Sequence, residues 1–235
     1  MNEVLQEFLL LSSVWGALLT MAAFALGVLV NRKTGLALFN PLLVAALSLM
    51  LFLSLCRIPC AEYQVSAAPI SFLLLPATVS LAVPLYEKWS LLRQNAPAIL
   101  AGIAVGVVVS AGCIILLAWV FGLDRSQAVT LLPKSVTTAI GMDISAELGG
   151  LAALTSAMII LTGITGNLLA SSVCRWFHIT DPMAVGVGIG TSAHAVGTAR
   201  ALELGEVQGA MSGLAIAVAG VLTAVAAPLA VRFLP

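Results

Sequence analysis

Eight apolar runs, separated by short polar stretches, divide the chain: 8–30, 36–56, 66–86, 97–121, 127–147, 151–171, 182–204 and 208–232. Each is near the roughly 20 residues that a helix needs to cross a bilayer's hydrocarbon core. Five runs (8–30, 36–56, 97–121, 151–171 and 208–232) continue without interruption and predict ordinary spanning helices. The other three, 66–86, 127–147 and 182–204, carry Pro or Gly near their middle beside Ser or Thr. Proline removes a backbone donor and clashes with the preceding turn. These runs therefore predict helices that break or re-enter, and such backbone survives at membrane depth only where protein or water satisfies it.

Composition sharpens the class. Of the 235 residues, 61% are hydrophobic and 9% charged, and mean hydropathy is +1.13. Soluble domains carry roughly 25% charged residues. A soluble globule, a disordered chain and a nucleic-acid binder are excluded. No run between the apolar segments is long or polar enough for a soluble domain. The expectation is one integral membrane domain over 1–235, with two N-terminal spans (8–56), a broken-helix unit (66–121) and two further units (127–171 and 182–232).

Charge gives the orientation expected. The first ten residues hold Glu3 and Glu7 and no Lys or Arg, so 8–30 reads as a retained span rather than a signal peptide. Arg32 and Lys33 follow it directly, which predicts an outside N-terminus and a cytoplasmic 31–35 loop. Lys88 and Arg93 then fall inside if 66–86 crosses once, Arg175 falls inside if 127–147 enters and returns, and 57–65 and 122–126 fall outside. The cysteines supply no metal set: Cys113 and Cys174 sit in or beside apolar runs, and Cys56 and Cys60 flank Arg-Ile-Pro.

An internal repeat makes the breaks informative. Leu131-Leu132-Pro133-Lys134-Ser135-Val136 echoes Leu74-Leu75-Pro76-Ala77-Thr78-Val79, and the ladder continues at Gly190-Thr191-Ser192-Ala193. Thr78, Ser135 and Ser192 are 57 residues apart in turn, and Glu-Leu-Gly recurs at 147–149 and 203–205. With one span between them, the last two copies are inverted relatives. The fold class expected is therefore all-α: a polytopic helical membrane protein with inverted repeats and broken or re-entrant helices, an architecture of secondary transporters.

Three constellations carry the candidate chemistry. In Pro133-Lys134-Ser135-Val136-Thr137-Thr138 a helix is expected to end near Leu132 and restart near Ser135, capped by its hydroxyl. The restarted N-terminus favours anions, and Lys134 adds a charge at membrane depth, either as a functional group or snorkelling to the interface. In the run 188–198, Thr191 and Ser192 are expected to cap a second restart. His194 beside them reads equally as an interhelical hydrogen-bonder or as a substrate or proton group. Asp143, Glu147, Arg200 and Glu203 form a third set, expected to be buried: Asp143 and Glu147 share a helical face and Arg200 can pair with Glu203. The bland reading places the two glutamates at the water interface. Thr78 and Ser80, between Pro76 and Pro84, read first as a kink. No Walker loop, His-Glu-x-x-His or Gly-x-Ser-x-Gly occurs, so no enzyme is expected.

The runs PATVSLAVPLYEKW (76–89), LLPKSVTTAIGMDISAELGG (131–150) and GIGTSAHAVGTARALELGEVQGAMSGLAIAVAG (188–220) resemble the LrgB/CidB family. That resemblance implies an antiholin-like, autolysis-modulating protein of the bacterial inner membrane, encoded with a holin-like LrgA/CidA-type partner. It also implies kinship with a plastidial glycolate/glycerate transporter and with bacterial pyruvate uptake. Together with the breaks it predicts a carrier for small monocarboxylates of the glycolate, lactate or pyruvate type. Lys134, Ser135, Thr137, Thr138, Thr191, Ser192, His194 and Arg200 would hold the substrate, and Asp143, His194 or Glu203 would couple a proton. The alternative is a regulator of murein hydrolase export and autolysis that transports nothing. A small carboxylate, the LrgA/CidA-type protein, the bilayer and a second copy in a dimer are the partners expected, with no cofactor, metal or nucleic acid.

Overall fold

A computed structural model describes residues 14–34, 39–73, 76, 79–80 and 82–235, and those residues contain helices and no strand. Two compact units divide the chain after Ser80. The first holds α1 (Trp15–Thr34), α2 (Pro41–Cys56), α3 (Cys60–Ser66) and α4 (Ala68–Phe72). Asn40 caps α2 by accepting from the Leu42 N–H at 2.8 Å, and Arg57 ends it in the left-handed conformation. The Thr20 and Tyr63 hydroxyls, 2.7 Å apart, tie α1 to α3. Thr78 lies outside the described residues. Cys56 and Cys60 are both free.

The second unit holds α5 (Ala82–Glu87), α6 (Trp89–Phe121), α7 (Arg125–Leu131), α8 (Thr138–Glu147), α9 (Ala152–Trp176), α10 (Pro182–Leu204) and α11 (Glu206–Ala230), followed by a short 3₁₀ turn. The expected spans 97–121, 151–171 and 208–232 correspond to α6, α9 and α11. With α1, these are the described helices long and apolar enough to cross a membrane. At 33 residues and 1.5 Å per residue, α6 is about 50 Å long, more than a bilayer core of about 30 Å.

Run 127–147 does not cross. It enters as α7, breaks, and returns as α8. The Ser126 hydroxyl donates to the Gly149 carbonyl at 3.3 Å, and the Leu151 N–H donates to Thr130 Oγ1 at 2.9 Å, so the end of the run lies beside its beginning. Asp124 and Gln127 form a capping box at the entry. Run 182–204 does the same within α10, which kinks at His194. Gly186 on its first arm abuts Gln208 and Met211, and Leu202 on its second arm abuts Gly209, so both arms meet the first turns of α11.

The two hairpins enter from opposite ends of the unit. Ala128, Val129 and Leu132 of the first pack with Ile114 and Ala118 near the end of α6, and with Ala230 at the end of α11. Val187 of the second packs with Ile99 and Ile103 early in α6, and with Ala210 and Met211 early in α11. Hence α6 and α11 run parallel, α9 runs between the hairpins, and the inverted arrangement expected from the repeat is present.

Candidate functional site

The break in the first hairpin falls where proline places it. The helix ends at Leu131, Pro133 is fully buried, and α8 begins at Thr138. Ser135 does not cap the restart, contrary to expectation. Thr137 is the N-cap residue, with extended backbone and no side-chain capping bond. Ser135 instead turns toward α6, its hydroxyl 3.3 Å from that of Ser110. Lys134 Nζ donates to Ser135 Oγ at 3.1 Å and reaches Ser110 Oγ at 3.5 Å. Lys134 thus turns to a hydroxyl of its own tip and to one of α6.

The second break lies two residues beyond the expected caps. Thr191 and Ser192 stay inside the helix because their hydroxyls donate to the carbonyls of Val187 and Gly188, four residues back, both at 2.7 Å. Such back-bonding lets Ser and Thr sit mid-helix. The chain breaks at His194, whose φ of 43° is left-handed and costly for a residue with a Cβ. The buried His194 ring holds the kink: Nε2–H donates to the Ile159 carbonyl of α9 at 2.8 Å. That partner matches the interhelical hydrogen-bonder reading.

One small cavity, about 10 Å³ and so room for roughly one water, joins the two tips. Ser135 and Val136 line it from the first hairpin and Thr191 from the second, with Ser110 of α6 and Thr223 of α11. Ser192 is not among its walls. It is exposed and faces a groove of about 320 Å³ beside Gly166 and Leu169 of α9. Ser135 and Thr191, not Ser135 and Ser192, meet across the repeat. In the repeat register Thr191 stands where the first hairpin has Lys134.

The LrgB-like family matches residues 20–233. The chain belongs to that family. It is 34% identical over 221 residues to the antiholin-like protein LrgB of Bacillus mycoides (strain KBAB4), covering 94% of this chain and 96% of that one. The antiholin-like LrgB proteins of Bacillus cereus (strain B4264) and Bacillus anthracis (strain CDC 684 / NRRL 3495) match equally. No solved structure matches it.

The remaining candidates of this LrgB-like chain are spread out. Thr137 and Thr138 are half-buried at the start of α8. Asp143 and Glu147 are exposed on one face of α8, so the expected burial fails for both. It fails for Glu203 as well, 65% exposed at the end of the second hairpin's returning arm. Arg200 pairs with Glu203 as its spacing suggested, and its guanidinium also donates to Ser171 Oγ of α9 at 3.1 Å. Among the described residues no cluster suited to a metal occurs.

Ser110 has no local signature in the sequence, being one serine inside the apolar stretch 99–121 of a long helix. The buried hydroxyls behind the tips have no such signature either. Thr155 of α9 donates to Ser145 Oγ at 2.7 Å, and Thr198 meets Ser212 of α11 at 2.7 Å. Each pair stitches a returning arm to the helix that follows it.

Proposed function

We propose that this LrgB-like protein is a secondary carrier for small monocarboxylates of the glycolate, lactate or pyruvate type. One observation carries the reading: two broken hairpins, entering from opposite ends, bring Ser135, which is bonded to Lys134, and Thr191 to one cavity between two long spans. Inverted broken elements around a mid-membrane site suit alternating access, and a lysine held among hydroxyls suits an anion. His194, at the kink, is the proton-coupling candidate that the fold favours, since Glu203 is already ion-paired and Asp143 is exposed. Lys88, Arg93, Arg175 and Arg200 lie at one end of the unit and Arg125 and Arg232 at the other, so the first end is assigned to the cytoplasm. An outside N-terminus, drawn from Arg32 and Lys33 directly after the first span, and the bacterial inner membrane belong to the same reading.

The comparisons favour a second reading over this one. The relatives are named antiholin-like proteins, and on that basis the chain is a regulator of murein hydrolase export and autolysis. It would act with an LrgA/CidA-type membrane partner and carry nothing. Uptake of radiolabelled glycolate, lactate and pyruvate by proteoliposomes holding the purified protein alone separates the two. Uptake above empty liposomes supports the carrier, and none for any acid, at verified incorporation, leaves the regulator.

A further inference from the structure

The Lys134 ammonium has three N–H donors, yet its partners in the structure are two neutral hydroxyls, those of Ser135 and Ser110. The ion pairs among the described residues are Lys88 with Glu206 and Arg200 with Glu203, so among those residues no carboxylate pairs with Lys134. Thr223, which lines the cavity of Ser110 and Ser135 from α11, makes no side-chain hydrogen bond among the described residues. Neither Ser110 nor Thr223 belongs to a hairpin.

We propose that Ser110 and Thr223 complete an anion site whose cation is Lys134, with Ser110 on the carboxylate and Thr223 reading a polar substituent on the adjacent carbon. The inference rests on the carrier reading for the place of binding, but binding itself needs no transport. A serine hydroxyl both donates and accepts. Ser110 accepts from Lys134 while the site is empty, and turns to donate once a carboxylate oxygen takes the ammonium. Thr191 has spent its proton on the Val187 carbonyl, so it offers only lone pairs. Thr223 has its full capacity to donate and accept, and so suits a hydroxyl or keto group. The other walls, Val107, Ala111, Leu132, Val136, Ala226 and Ala227, are apolar. In this arrangement the cavity admits about one water, so the hairpins must part slightly to admit an acid, and long chains are excluded.

Titration calorimetry of the full chain in detergent with acetate and with glycolate tests this. The two acids differ by the one hydroxyl that Thr223 is assigned to read. The wild type should bind both, with glycolate the tighter. Ser110→Ala should weaken both by about tenfold or more, since a hydrogen bond to a charged group is worth roughly 1.5–3 kcal/mol. Ser110→Cys, closer in volume, should do the same and is read if the alanine variant does not fold. Thr223→Val should weaken glycolate alone, by about 2–10-fold, and Thr223→Ser should restore it. Failure of the wild type to bind either acid overturns the site, as do variants that bind both acids like the wild type. Glycolate binding without uptake into liposomes removes the carrier and leaves the site. Uptake that neither variant changes removes the site and leaves the carrier.

Discussion

Thr198 and Ser212 meet at 2.7 Å, 1% and 0% exposed, and they form the middle of a directed chain. Thr198 has one proton, and it goes to the His194 carbonyl at 3.0 Å. Ser212 therefore donates to Thr198. The carbonyl of the kink residue accepts from a side chain of the returning arm, and α11 locks that side chain in place.

The two ends of this chain should respond unequally. Thr198→Val removes a bond to the His194 carbonyl and strands the Ser212 hydroxyl, at a cost of about 1–3 kcal/mol, whereas Ser212→Ala leaves only a Thr198 lone pair unused, costing about 0.5–1.5 kcal/mol. Thermal unfolding in detergent should rank wild type above Ser212→Ala above Thr198→Val. Equal melting of the two variants would mean that the Ser212 hydroxyl finds another partner.

Gly163 makes room for His194. A Cβ there would lie 2.6 Å from the histidine Cε1 and 2.9 Å from Val196 Cβ, and neither group can retreat from the packed tip. Gly163→Ala should break the bond to the Ile159 carbonyl and destabilise by about 1–3 kcal/mol, as overpacking does. Gly112→Ala is the control. Nothing lies within 4 Å of a Cβ there, and alanine should stabilise that helix by about 0.5–1 kcal/mol. Melting temperatures that move together in the two variants would contradict the packing.

The hairpins define which face each loop reaches. With Cys56, Cys60, Cys113 and Cys174 replaced, a single cysteine at Gly149 should react with an impermeant thiol reagent from outside the cell. One at His178 should react only after the membrane is opened. Labelling of both from one face is incompatible with opposed hairpins.

Lys134→Gln removes the charge and keeps much of the length. If the ammonium holds the carboxylate, uptake at subsaturating substrate should fall about tenfold or more, from a loss of roughly 1.5–3 kcal/mol. Undiminished uptake at equal expression would return Lys134 to a structural role.

Spans and breaks were legible because both are local. An apolar run near 20 residues is a spanning helix or a hairpin whatever lies around it, and Pro133 ends a helix by its own ring. Hydropathy alone could not tell a hairpin from a span in 127–147. Repeat and charge together pointed to the hairpin, and the bond from Ser126 to Gly149 realises it. At the second tip, local reasoning chose the wrong residue. Thr191 and Ser192 are cap formers by type, but inside a continuing helix each bonds the carbonyl four residues back. The break passed to His194, whose ring finds Ile159 only once α9 packs beside it. Ser110 shows the same limit. Nothing near it in the chain marks it, and it becomes part of a site because the first hairpin's tip sets Lys134 and Ser135 against that turn of α6. Periodicity and helix breakers act over a few residues, whereas the meeting of residues 110, 135, 191 and 223 depends on how four separate segments pack.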